Sequence, residues 1–326
     1  MLRLPPFEYL APKTLAEAVS MMSDHGPQAM YVSGGTDLYP NMKRRQFEPK
    51  ALIGLRGIGE MHAVSNGGGL VIGGGLTLSQ VSTHPQIIQQ YPALARAAGL
   101  VSSPPLRNMG SIGGNLCIDT RCTYYNQTYH WRKSLGFCLK KDGDTCWVAL
   151  SSPRCLAVSS SDCAPVAIAL GAQVRLVGPR GERTIPAEAL YHDDGMQYLD
   201  KAPDEILVSI HLPALEGWRM TYLKLRRRGS IDFPILGVAV ALRLEGDGAC
   251  SDARIVLGAV ASRPVLAHAA AKMLVGNRLT PELIRAAAEA AYKSAKPLDN
   301  TDMALGYRKR MVKVYVTRAL SEVANL

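Results

Sequence analysis

Two short turns, Ser33-Gly34-Gly35-Thr36 and Ser111-Ile112-Gly113-Gly114-Asn115, constrain this chain more than any other feature. The first directly follows the β-type run Ala29-Met30-Tyr31-Val32. Glycine has no Cβ, so a paired-glycine turn reaches φ > 0 and lets the backbone approach a ligand closely. Consecutive amides at such a turn can face an anion, and a helix start adds its positive end. One such turn is more often a plain turn than a ligand loop, but two suggest a pyrophosphate held between them. The chain has no G-x-G-x-x-G and no P-loop. A Rossmann dinucleotide site and a nucleotide triphosphatase are therefore unsupported.

Hydrophobic periodicity places the first turn in a strand–helix–strand–short helix–strand unit over residues 7–55. Thr14 and Glu17 form a capping box, and Leu15, Ala18, Val19 and Met22 recur at helical spacing until Gly26-Pro27 stops the run. Ala51-Leu52-Ile53-Gly54-Leu55 reads as a buried strand. Such alternation predicts a small α/β unit with a parallel sheet. From residue 58 a mixed region follows. It has a strand at 70–72, helices at 78–90 and 92–100, and a short helix at 164–171. A hairpin over 173–177 and 183–185 and a strand at 205–212 complete it. From 216 the pattern gives strands at 235–244 and 253–260 around Glu245-Gly246-Asp247-Gly248. Helices at 264–275, 281–295 and 307–323 end the chain, the second capped by Thr280 with Pro281 at its first position. The expected class is α+β in three parts. These are an α/β subdomain (1–57), a mixed central subdomain (58–215) and an antiparallel sheet with helices (216–326).

Bulk properties narrow the function. The chain has 326 residues, 47% apolar and 20% charged, which is the globular range. No apolar run approaches the roughly 18–20 residues that span a bilayer. The start, MLRLPPFEYLAPKTLAEA, lacks the apolar core of a signal peptide. A cytoplasmic location with reduced thiols is the expectation, and seven cysteines, an odd number, argue against a complete disulfide framework. The formal net charge is +10, and Lys224-Leu225-Arg226-Arg227-Arg228 is its sharpest cluster. That cluster continues an alternating strand, with no zinc-finger, RNA-recognition or helix-turn-helix signature beside it, so nucleic acid is not an expected partner. There is no H-E-x-x-H and no G-x-S-x-G elbow.

Four of the seven cysteines, Cys122, Cys138, Cys146 and Cys155, fall in one polar stretch, residues 122–155, that lies between the second glycine turn and Asp162. Their spacings are C-x15-C, C-x7-C and C-x8-C, with no C-x2-C, so neither a zinc-ribbon nor a ferredoxin signature is present. Spacing leaves a metal site, a cluster and unrelated reduced thiols open. Clustering argues against the last, because exposed thiols are a liability. The stretch is too polar for a core of its own.

Taken together, the two glycine turns, Asn108-Met109-Gly110 before the second, Ser161-Asp162, Glu205-Ile206-Leu207-Val208-Ser209-Ile210 and Tyr307-Arg308-Lys309-Arg310-Met311 carry a family resemblance. From about residue 5 to the C-terminus the chain resembles the FAD-binding subunit of the xanthine oxidase family of molybdenum hydroxylases. The resemblance implies FAD with its diphosphate on Ala29, Met30, Tyr31, Val32, Ser33, Gly34, Gly35 and Thr36, and on Ser111, Ile112, Gly113, Gly114 and Asn115. It implies that Asp162 contacts the flavin's polar chain, with lesser contacts from Val101, Leu207 and Lys224. Core packing for Val101 and Leu207, and a solvated strand position for Lys224, stay open.

Most relatives have only a short stretch between the Gly-Gly-Asn and the aspartate, so residues 117–157 read as an insertion. The insertion resembles that of the 4-hydroxybenzoyl-CoA reductase branch of the family. That resemblance implies a [4Fe–4S] cluster on Cys122, Cys138, Cys146 and Cys155, leaving Cys117, Cys163 and Cys250 structural. It implies an electron-transfer subunit with no catalytic residues of its own. The partners implied are a molybdopterin-containing large subunit and a small subunit with two [2Fe–2S] clusters, in a dimer of heterotrimers. The reaction implied is reductive dehydroxylation of 4-hydroxybenzoyl-CoA to benzoyl-CoA with ferredoxin as donor. The alternative is the FAD subunit of another, oxidative molybdenum hydroxylase whose loop is braced by zinc. If ferredoxin docks at the insertion, Arg121, Arg132, Lys133, Lys140, Lys141 and Arg154 would steer it.

Overall fold

A computed structural model describes every residue except Met1 and Asp247, so that residue of the expected 245–248 turn lies outside the described residues. Among the described residues the strands form three sheets. The first holds β1 (Glu8–Leu10), β2 (Ala29–Val32) and β3 (Ala51–Gly54) in the order β1-β3-β2, all parallel. Between them lie α1 (Leu15–His25) and α2 (Leu38–Lys43). Thr14 accepts from the Glu17 amide, and the Glu17 carboxylate accepts from the Lys13 amide, so both halves of the helix start are satisfied. Gly26, at φ +52°, ends α1.

The central sheet runs β4-β5-β8-β6-β7, entirely antiparallel. It comprises β4 (Val64–Asn66), β5 (Gly69–Gly73), β6 (Gln173–Gly178), β7 (Gly181–Pro186) and β8 (Ile206–Pro213). The helical stretch expected over 78–90 is two pieces, α3 (Leu78–Thr83) and α4 (Pro85–Gln90). Pro85 disfavours helical backbone at His84, which adopts extended angles. α5 (Pro92–Leu100), α6 (Pro104–Arg107), α7 (Ile112–Leu116), α8 (Tyr129–Ser134) and α9 (Cys163–Ala169) follow. Leu70, Ile72, Val81, Leu94, Ile112, Cys163, Val166 and Leu176 share the core beneath this sheet.

The third sheet runs β12-β11-β10-β9, antiparallel, from β9 (Trp218–Leu225), β10 (Leu236–Leu244), β11 (Cys250–Gly258) and β12 (Val265–Leu266). The helix expected from 264 gives its first residues to β12, and α10 spans His268–Leu274. α11 (Pro281–Ser294) and α12 (Leu305–Ala324) pack Ala287, Ala291, Val312, Val316 and Leu320 against Val238, Val240 and Leu257. The architecture is α+β, and no helix among the described residues is long and apolar enough to cross a membrane.

Candidate functional site: a two-lobed cleft beside a four-thiol pocket

The two glycine turns meet. A Cβ on Gly34 would overlap the Met109 carbonyl of the loop before α7, and Gly35 sits at φ +69° against the Tyr39 ring. A Cβ on Gly113 would lie 2.8 Å from the Gly74 carbonyl, which already accepts from the Gly113 amide at 2.9 Å. The first turn, α7 and the start of the central sheet therefore approach closely enough that only glycine fits. Ser111 caps α7 by accepting from the Gly114 amide at 3.1 Å. Asn115 is buried and holds the far side. Its Oδ1 accepts from Ser161 Oγ (2.8 Å) and from the Cys163 amide (3.1 Å).

Two cavities flank this contact, of about 750 and 410 Å³. Both are walled by Met30, Tyr31, Ser33, Ser111, Gly114 and Cys117, so they are two lobes of one cleft. The larger lobe runs over β8 to Leu207 and Glu205. The smaller reaches Val101, Asp119, Arg121 and, from the third region, Ile231 and Phe233. The predicted residues Ala29, Val32, Gly34, Gly35, Thr36, Gly113 and Asn115 also line one lobe or the other. Ile112 instead points into the core. Asp162 and Lys224 lie outside both linings and form a buried ion pair, Nζ to Oδ2 2.8 Å. Burial pushes the Asp162 carboxyl up, with Lys224 and the Tyr222 hydroxyl pulling the other way. Lys224 also donates to the carbonyl of Leu100, next to cleft-lining Val101.

Sequence reading overlooked Asp119, Arg121 and Tyr198 as cleft residues. Asp119 and Arg121 carried a usable signal: they stand between the second glycine turn and Cys122, the first of the four clustered cysteines. Tyr198 carried none. Arg121 pairs with Asp37 and stacks 4.4 Å from the Phe233 ring. Burial lowers its pKa to about 10. Its Nε and Asp119 Oδ2 are buried polar atoms without a hydrogen-bond partner. A cradle that excludes Cβ atoms, two lobes joined across it and orphaned polar atoms in the wall fit an elongated group with a diphosphate at its middle.

The insertion forms a small cluster of Cys122, Tyr125, Cys138, Cys155 and Ala157. Cys122, Cys138, Cys146 and Cys155 are buried, unbridged by disulfides, and line one pocket. Cys117 faces the cleft, Cys163 the central core and Cys250 the third core. Burial pushes the Cys122 thiol up to about 11 and the Cys155 thiol to about 12. Backbone amides of Tyr124 and Tyr125 point at the Cys122 sulfur, and the Ala157 amide lies 3.4 Å from the Cys155 sulfur. Amides aimed at sulfur favour the thiolate over the thiol. In this arrangement no group of three or more His, Cys, Asp or Glu side chains among the described residues stands ready to hold a metal ion. Four thiols on one pocket are a donor set of the four-thiolate kind.

All three regions brace the insertion. Arg132 is buried and donates to the carbonyls of Arg44 and Arg45 just past α2, at 3.1 Å each. Gln46 donates to the Tyr125 carbonyl at 2.6 Å, the Gly195 amide to the Cys155 carbonyl at 2.8 Å, and Asn300 to the Leu156 carbonyl at 2.6 Å. This corrects the expected docking surface. Arg121, Arg132 and Lys140 are internal, each with partners, so they cannot steer a protein in solution. Of the six cations, Lys133, Lys141 and Arg154 remain at the surface, the latter two paired with Asp142 and Asp193.

Comparison with known proteins agrees with this geometry. Residues 5–215 match the FAD binding domain in molybdopterin dehydrogenase, and residues 220–323 the CO dehydrogenase flavoprotein C-terminal domain. The chain is 30% identical to the carbon monoxide dehydrogenase medium chain of Hydrogenophaga pseudoflava, across 97% of this chain and 96% of that one. It is 32% identical to the aldehyde oxidoreductase FAD-binding subunit of Escherichia coli, across 79% and 82% of the two. A solved carbon monoxide dehydrogenase from H. pseudoflava superposes with a TM-score of 0.80 over 98% of both chains at 30% identity. The chain thus belongs to the family of FAD-binding medium subunits of molybdenum hydroxylases.

Proposed function

We propose that this chain is an electron relay between a molybdenum-bearing subunit and an outside redox partner, with FAD in the cleft and a second centre on the four thiols. FAD supplies two-electron storage with one-electron exchange when bound. The residues of this chain hold and enclose it. The Gly34 and Gly113 turns bring amides to the diphosphate, and Val101, Leu207 and Tyr198 wall the two lobes. The chain contributes no acid, base or nucleophile to substrate chemistry in this reading; that work falls to a molybdopterin-containing large subunit, beside a small subunit carrying [2Fe–2S] clusters. Relatives that are medium chains of carbon monoxide dehydrogenase support this subunit arrangement.

The single observation that carries the second centre is the convergence of Cys122, Cys138, Cys146 and Cys155 on one buried pocket. We read it as a [4Fe–4S] site. Relatives named for carbon monoxide and aldehyde oxidation favour an oxidative enzyme of that class. The narrower reading, reductive dehydroxylation of 4-hydroxybenzoyl-CoA with ferredoxin as donor, is favoured by the thiol insertion alone. Two assays separate them. The complex, purified without oxygen, is offered 4-hydroxybenzoyl-CoA with a reduced low-potential donor, and separately aldehyde, purine and carbon monoxide with an electron acceptor. Benzoyl-CoA formation supports the narrower reading; turnover only with the acceptor supports the oxidative one. A flavin-free complex, inactive in both, contradicts the relay itself.

A further inference from the structure

Between the cleft and the four-thiol pocket lies a buried ion pair, Lys140 with Asp119. Lys140 is two residues beyond Cys138 and forms part of the thiol-pocket wall. Its ammonium lies 2.6 Å from Asp119 Oδ1 and 2.7 Å from the Gly195 carbonyl, and it also donates to Thr120 Oγ1. Its three donors are therefore committed to protein acceptors. The Lys140 and Asp119 side chains are 6% and 7% exposed, so water screens neither. The same ammonium stands 4.6 Å from the ring of Tyr125, in the thiol-pocket wall, and 5.2 Å from that of Tyr198, in the cleft wall. Asp119 lines the cleft lobe that opens towards the third region. One residue of the pair thus lines each site, Lys140 the thiol pocket and Asp119 the cleft.

We propose that the Lys140–Asp119 pair is a positioning and tuning bridge that holds electrons towards the thiol centre and away from the flavin. The proposal rests on reading the thiol pocket as a redox centre. Its physics is simple. A fixed cation in a low-dielectric wall stabilises an electron placed next to it, and a fixed anion destabilises one. The pair is neutral as a whole, so it can be built into the interior, while its two ends act with opposite sign on the two sites. Both residues act through the groups they face, so neither is catalytic.

The test is a redox titration of the complex purified with its partner subunits, followed by visible absorption for flavin and by electron paramagnetic resonance for the thiol centre. The informative variant is Lys140→Met with Asp119→Asn, which removes both charges and leaves neither stranded. Its thiol centre should shift to more negative potential and its flavin to more positive potential. Lys140→Arg, which keeps the charge, should hold both near wild type. Unchanged potentials in the double variant, or shifts of the same sign, overturn the proposal. If wild-type protein carries no iron, the reading of the thiol pocket fails. The bridge then falls with it, whereas unchanged potentials in iron-loaded protein overturn the bridge alone. A double variant that loses flavin altogether while Lys140→Arg also loses it shows a merely structural pair, and overturns it as well.

Discussion

Lys224 and Asp162 join β9 to the segment that follows the insertion through a fully buried ion pair, 2.8 Å from ammonium to carboxylate. The Tyr222 hydroxyl donates to the other carboxylate oxygen at 2.8 Å, and Lys224 spends its remaining donors on the Leu100 and Asp232 carbonyls. Removing one partner leaves the other charged and dry. Lys224→Met should therefore cost about 3–5 kcal/mol in chemical denaturation. The double variant Lys224→Met, Asp162→Asn should recover a large part of that. A double variant no more stable than Lys224→Met would contradict the stranded-charge account.

The glycine contacts predict a selective loss. Gly34→Ala drives a methyl into the Met109 carbonyl and Gly113→Ala drives one into the Gly74 carbonyl. Backbone on both sides cannot yield cheaply, so each variant should bind FAD at least 10-fold more weakly, about 1.4 kcal/mol. Gly59→Ala, where a Cβ meets nothing within 4 Å, is the control and should retain full flavin. Flavin content by absorbance after gel filtration reads all three.

The cysteines divide by location. Cys138→Ser should lose the iron signal while keeping flavin, because Cys138 lies in the thiol pocket and outside the cleft. Cys250→Ser should keep both, since its thiol packs in the third core. Metal analysis of the two variants settles the assignment. Equal iron in Cys138→Ser and wild type would remove Cys138 from the ligand set.

Glu205 gives a pH signature. Arg183 grips its carboxylate at 2.8 and 2.9 Å, and the Ala202 amide donates at 2.8 Å. These contacts, the Arg183 bonds foremost, hold the carboxyl below its ordinary value of 4.5. A depressed carboxyl stabilises the fold above its unfolded pKa and loses that contribution as pH falls through the folded value. Glu205→Gln should thus be about 1–2 kcal/mol less stable than wild type at pH 7. The gap should narrow as pH falls below 4.5, the ordinary value of the carboxyl. Thermal denaturation of both proteins from pH 7 to pH 3.5 checks it, and a gap that widens with acid would reverse the sign.

What was legible in the sequence follows from local physics. Paired glycines after an apolar strand mark a close approach whatever lies opposite, so the Gly34 and Gly113 turns were readable without their partners. The strand and helix pattern was readable for the same reason, down to Thr14 and Thr280 as caps. The His84-Pro85 break was missed, because the apolar spacing runs on through 78–90 although proline restricts its predecessor. The cations of the insertion were not readable either. In sequence Arg132 and Lys140 stand in a polar stretch and read as surface charges. In the structure their partners are Asp119 and the carbonyls of Arg44 and Arg45, which periodicity cannot bring together. Tyr198 enters the cleft wall by the same kind of long-range packing.

The most direct test of the account is cofactor stoichiometry in the complex isolated without oxygen. Flavin, iron and acid-labile sulfide are counted per copy of this chain, after subtracting the iron held by the small subunit measured alone. The account predicts one FAD with four further iron and four further sulfide, the content of one [4Fe–4S] cluster. One FAD with no further iron, or with zinc in its place, would contradict it.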